Sequence, residues 1–143
     1  MILELVLAVH TIVAALWTGA TVFIAGAIIP AAKSEQFGSA ALSIITRRYR
    51  YLTIGSVLLL LFSGGHLAGT LYTFETLQGS GRGHLVLAMV VLWLVLAHLA
   101  VFGYRKLTAT DDESVAEAAT AARPLFYAGS VVSVLLLIVA GLL

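Results

Sequence analysis

Apolar residues in this chain run in four long blocks separated by short polar stretches. The first block spans about 2–29 and ends before Pro30; the others cover about 51–72, 84–104 and 125–143. A helix needs roughly 20 apolar residues to cross about 30 Å of hydrocarbon. Three blocks reach that length and the fourth comes close, so four membrane spans are expected. Backbone groups in lipid must be satisfied within their own segment, so each span is expected to be a helix. The fold class is therefore all-α, an integral membrane four-helix bundle forming a single transmembrane domain over 1–143. The first block has no basic leader and carries Glu4. It is expected to be a retained span rather than a cleaved signal.

The connections differ in chemistry. Residues 31–50 are mixed and suit a short interfacial helix. Residues 73–83 are rich in Gly and Ser and read as a turn-forming loop. Asp111, Asp112 and Glu113 suit a helix N-terminus ahead of the Ala-rich run from Ser114 to Ala122, and Pro124 fits the first turn of the fourth span. Seven of the eight Lys and Arg residues lie in the first and third connections; only Arg82 lies in the second. Positive residues stay in the cytoplasm, so both termini are expected on the non-cytoplasmic side.

Composition sharpens this picture. Hydrophobic residues make up 61% of the 143 and charged residues 10%, against about a quarter charged in a soluble domain. A lipid bilayer is thus the expected surroundings, in a multi-pass cell-membrane protein. The net charge of +1 gives no footing for nucleic acid. With no cysteine, disulfides, iron–sulfur clusters and thiolate metal sites are excluded.

No Asp, Glu, Lys or Arg lies deep in a span, which argues against carboxylate-driven pumping and paired-carboxylate hydrolysis. His10, His66, His84 and His98 remain. His10 lies about 12 Å in from the outer end of the first span, His66 about 9 Å in from the outer end of the second, and His84 opens the third. His98 lies roughly 21 Å deeper than His84 on nearly the same helical face, level with Trp17 and Thr18. His10, His66 and His84 thus share the outer half on three helices. Imidazole binds haem iron and copper, so these three are candidate metal ligands and His98 a candidate cofactor contact. Each has an ordinary alternative in a hydrogen bond between helices. Gly19, Gly26, Ser63, Gly64, Gly65 and Gly69 offer close approach beside a cofactor or, more simply, helix packing. Trp17 is a candidate cofactor wall or a core aromatic. Tyr49, Tyr51 and Tyr72 read as an interfacial belt. Arg47, Arg48 and Arg50 read as topology determinants, or as a clamp for a propionate or lipid phosphate.

His10-x6-Trp17-x-Gly19, the block RRYRYLTIGSVLLLLFSGG (47–65) and the block GRGHLVLAMVVLWLVLAHLAVFGYRKL (81–107) resemble the first three helices of the CopD-like membrane proteins. That superfamily includes the HemJ-type protoporphyrinogen oxidases. Resemblance to the HemJ branch implies haem b, with His10 as primary ligand and His84 as the third-helix histidine; Val86 stands where that branch has lysine. Resemblance to the CopD branch implies copper uptake, here with only two methionines, Met1 and Met89. The leading expectation is a haem-b-binding membrane protein with an electron-transfer or porphyrin-linked oxidoreductase role. His10 with His66 is the first axial pair and His10 with His84 the second. Copper binding or transport, and a structural or assembly subunit of a membrane complex, are the alternatives. A homodimer is an expected assembly because four helices offer little room for a large cofactor.

Overall fold

The computed structural model describes residues 1–34, 36, 38–108 and 114–143. Every regular element among them is helical. Four helices are long and apolar enough to cross a membrane: α1 (Ile2–Lys33), α2 (Ser39–Leu71), α4 (Gly81–Leu107) and α5 (Val115–Leu142). A short helix, α3 (Phe74–Gly79), joins α2 to α4.

All four long helices begin or end outside the apolar blocks. α1 passes through Pro30 because the turn before it is widened. Residues Ile24–Ile28 form a π-helical turn, in which the Ile29 N–H reaches Ile24 O. Proline supplies no N–H and crowds the carbonyl four residues back, and the wider turn accommodates both. The separate interfacial helix expected within 31–50 is instead the first third of α2, which starts at Ser39 and runs unbroken for 33 residues. At 1.5 Å per residue α2 is about 50 Å long, so it tilts or extends past the hydrocarbon.

α5 starts earlier than its apolar run because Ser114 caps it. Ser114 Oγ accepts from the Glu117 N–H at 3.2 Å, and Glu117 Oε2 accepts from the Ser114 N–H at 2.9 Å. Both otherwise orphaned donors are thereby satisfied. Pro124 therefore lies inside α5, not in its first turn. The expected role of Asp111, Asp112 and Glu113 lies outside the described residues.

The loop expected at 73–83 contains α3. Thr73 and Thr76 cap it reciprocally: the Thr76 N–H donates to Thr73 Oγ1 at 3.2 Å and the Thr73 N–H to Thr76 Oγ1 at 2.8 Å. Ser80 Oγ then caps α4 by accepting from the Gly83 N–H at 3.0 Å. Gly83 is the pivot. A Cβ there would collide with the Thr76 and Leu77 carbonyl oxygens and come within 2.6 Å of Leu77 Cα. Backbone cannot yield as a flexible side chain can. Gly83→Ala is expected to destabilise the protein by on the order of 3 kcal/mol, read as a lowered thermal unfolding midpoint in detergent. A variant as stable as the parent would mean that α3 does not fold back onto α4 in this way.

The core lies where α1, α2, α4 and α5 meet. Trp17, Ile29, Leu42, Leu96, Leu107 and Phe126 are buried there. Close helix approach depends on small residues, as is usual in lipid: at Gly103 a Cβ would sit 3.0 Å from Phe126 Cε2, and at Gly129 one would sit 3.2 Å from Thr21 Cγ2.

Candidate functional site

α1 and α2 pack antiparallel, and three polar contacts tie them together at intervals along the seam. Near one end His10 Nδ1 lies 2.8 Å from Ser63 Oγ. One helical stretch on, the Trp17 indole N–H donates to Thr53 Oγ1 at 3.2 Å. Beyond that, Thr21 Oγ1 and Tyr49 Oη are 2.8 Å apart. The Thr21 hydroxyl donates to Trp17 O at 2.9 Å. Its single hydrogen is thus in use, so Tyr49 is the donor to Thr21. Tyr49 also packs against Phe126, with ring centroids 5.4 Å apart and planes tilted by 59°. Tyr49 is therefore a buried link in the core and not part of an interfacial belt. Tyr51, by contrast, is exposed and stacks beneath the Arg50 guanidinium at 5.2 Å.

The His10 contact has a defined polarity. Ser63 Oγ lies 2.6 Å from Leu59 O, to which it donates its hydroxyl hydrogen. The same oxygen therefore accepts from His10, which must carry its proton on Nδ1. The Nε2 lone pair is left available. Among the described residues the buried polar atoms without a partner are Thr46 Oγ1, Trp93 Nε1 and Ser133 Oγ. His10 Nε2 is not one of them, so it is not sealed inside the protein. The ring lies against Gly64, where a Cβ would come within 3.1 Å of His10 Cε1. Of the small residues expected near this depth, Ser63 and Gly64 shape the contact. Gly19, Gly26, Gly65 and Gly69 have open space where a Cβ would be.

The other histidines sit elsewhere. His66 is exposed on the outer side of α2. It lies about 60° around the helix from Ser63 and about 100° from Tyr49, so it falls to one side of the seam. His84 is exposed and its Nε2–H donates to Gln78 O at 2.7 Å, which fastens the end of α3 to α4. His98 is exposed and its Nδ1–H donates to Leu94 O at 2.9 Å, one turn back in its own helix. Each of these two rings keeps one free nitrogen lone pair. Trp17 is fully buried in the core. Among the described residues no three His, Cys, Asp or Glu side chains come together as a metal-holding group. One chain thus brings His10 to Ser63 and Gly64, and does not gather His10, His66 and His84 around one point. Two surface clefts, one bordered by Lys33 and Arg123 and the other by Ser39 and Thr108, contain no histidine.

The partners that sequence reasoning missed are Ser63 as the acceptor for His10, and Thr53 and Thr21 as the polar anchors below it. Their signal is faint but present: His10, Trp17 and Thr21 lie on one face of α1, with hydroxyl residues at matching levels of α2.

No curated protein matches the chain, and no solved structure does. The family model described as copper resistance protein D matches residues 43–143, well over half of the sequence. That stretch holds His66, His84 and His98, together with most of α2 and all of α3 to α5. With its four membrane-crossing helices, this multi-pass membrane protein belongs to the copper resistance protein D family.

Proposed function

We propose that the protein binds copper within the membrane and passes it on as cargo, with His10 Nε2 as an entry ligand. The observation that carries this reading is the hydrogen-bond chain from His10 through Ser63 to Leu59 O. Metal-binding histidines characteristically donate their other N–H to a fixed acceptor, which sets ring orientation and raises basicity. Imidazole is a good copper ligand and needs no thiolate partner. Membership in the copper resistance protein D family points to the same ion. His66 and His84, both exposed, are candidates for separate ligand positions along the route and not for the His10 site itself. Seven of the eight basic residues lie at the opposite end of the bundle from these three, and only Arg82 lies beside them. By the positive-inside rule both termini and the histidine end face away from the cytoplasm, so copper enters from that side.

Haem b is the second reading, because the same Nε2 lone pair suits iron. In one chain the His10 ring is flanked by Ser63 and Gly64, and the two clefts lie elsewhere. A porphyrin ligated at Nε2 would lie outside the α1–α2 seam, against the surface of the bundle or a second copy.

Purified protein equilibrated with Cu(I) against a competing chelator, followed by metal analysis and an optical spectrum of the same sample, separates the readings. Copper retained in stoichiometric amount with no Soret band is the expected result. A Soret band that shifts on reduction would move the assignment to haem. Neither copper nor haem would leave a structural or assembly subunit and end the copper proposal.

A further inference from the structure

Independently of the histidines, the structure carries a cleft of about 350 Å³ at the basic end of the bundle. It opens between the last turns of α1 and the third and fourth turns of α5. Its lining is Ile29, Pro30, Lys33, Ser34, Arg123 and Tyr127. Ile29 is fully buried and forms an apolar floor, and Pro30 adds to it. Lys33 and Arg123 line this one cleft from two different helices. No carboxylate among the described residues lines it, and the one ion pair among them is Met1 with Glu4, at the other end of α1. The Ser34 hydroxyl is turned back onto Pro30 O and Ala31 O at 3.2 and 3.1 Å, so the cations supply the free donors. Arg123 rests over the Tyr127 ring at 5.2 Å. Tyr127 is 41% exposed, an amphipathic side chain at the level where headgroup meets hydrocarbon.

Below Tyr127 the outer face of α5 is apolar. Val131, Val134 and Ile138 follow Arg123 and Tyr127 at steps of three and four residues and are all exposed. A stripe with this spacing runs down one side of the helix. Two basic residues on one cleft, an aromatic at the boundary and a continuous apolar track leading away match one kind of molecule.

We infer that this cleft binds the phosphate headgroup of an anionic phospholipid, with Lys33 and Arg123 holding the phosphate and the acyl chains lying along α5. Basic pockets between membrane helices bind anionic headgroups in this way, and Arg adds a planar fork of donors to the point charge of Lys.

The test uses the full chain in detergent. Phosphatidylglycerol, phosphatidylcholine and inorganic phosphate are added separately. Retained lipid is followed by native mass spectrometry and stabilisation by thermal unfolding. Phosphatidylglycerol is expected to stay bound and to raise the unfolding midpoint more than phosphatidylcholine does. Lys33→Gln with Arg123→Gln should weaken phosphatidylglycerol binding by about tenfold or more. Arg105→Gln with Lys106→Gln removes the same charge from exposed positions outside the cleft and should change binding far less. Three results would overturn the inference: equal loss in both double variants, which would indicate general surface charge; no loss in the Lys33 and Arg123 variant; or equal stabilisation by inorganic phosphate, which would assign the cleft to a free anion. Both pairs are exposed on the surface, so the variants are expected to fold.

Discussion

Trp17→Ala is expected to cost about 3–5 kcal/mol of stability, the largest loss from any single side chain in this bundle. Trp17 is fully buried, and no other completely buried side chain is as large. In lipid the gain from leaving water is no longer available to drive helices together, because acyl chains are as apolar as the core. Packing and hydrogen bonds carry the association instead. Truncation at Trp17 removes both, since it opens a void between α1 and α2 and leaves Thr53 Oγ1 without its indole donor. Trp17→Phe separates the two effects. It keeps most of the volume and loses the N–H, so it should cost about 1 kcal/mol. Unfolding of both variants in mixed detergent micelles measures the difference. If alanine costs no more than phenylalanine, the void has collapsed or the indole is not packed as described.

The four-helix architecture was legible in the sequence because hydrophobic length is a direct consequence of bilayer thickness. Helix ends were less so. A hydropathy pattern registers where lipid stops, not where the hydrogen-bond ladder stops. α2 therefore runs on through Arg47, Arg48 and Arg50 to Ser39, and α5 reaches back past Pro124 to the Ser114 cap. Pro30 and Pro124 mislead for a related reason. Each reads as a boundary by local chemistry, yet a π-helical turn accommodates the first, and the helix continues through the second.

For the histidines, depth was readable and direction was not. Rise per residue fixes how far His10 or His66 lies from a helix end. Which way the ring points depends on the apolar stripe that marks the buried face in a soluble helix. Here lipid and core are both apolar, so that stripe is nearly erased. His10 falls on the α1–α2 seam and His66 to one side of it. Tyr49 illustrates the same point in reverse: its position along α2 suggested an interface, and its direction buries it against Thr21 and Phe126.

If His10 is the copper ligand proposed above, copper affinity is expected to fall about 10–100-fold in Ser63→Ala and to be lost from the His10 site in His10→Ala. The two effects come from one piece of chemistry. Ser63 fixes the proton on Nδ1 because its own hydrogen is committed to Leu59 O. Alanine removes that acceptor, so the ring is free to turn or to move its proton to Nε2, and the lone pair proposed to ligate is no longer held in place. Ser63→Thr keeps the hydroxyl and the bond to the carbonyl four residues back, and should retain most of the affinity. Stability changes alone do not separate this role from packing, so the decisive measurement is a double-mutant cycle on Cu(I) affinity. In a His10→Ala background, Ser63→Ala should have almost no further effect, because there is no ring left to orient. If Ser63→Ala weakens copper binding equally with and without His10, then Ser63 acts on some other ligand and does not set the His10 tautomer.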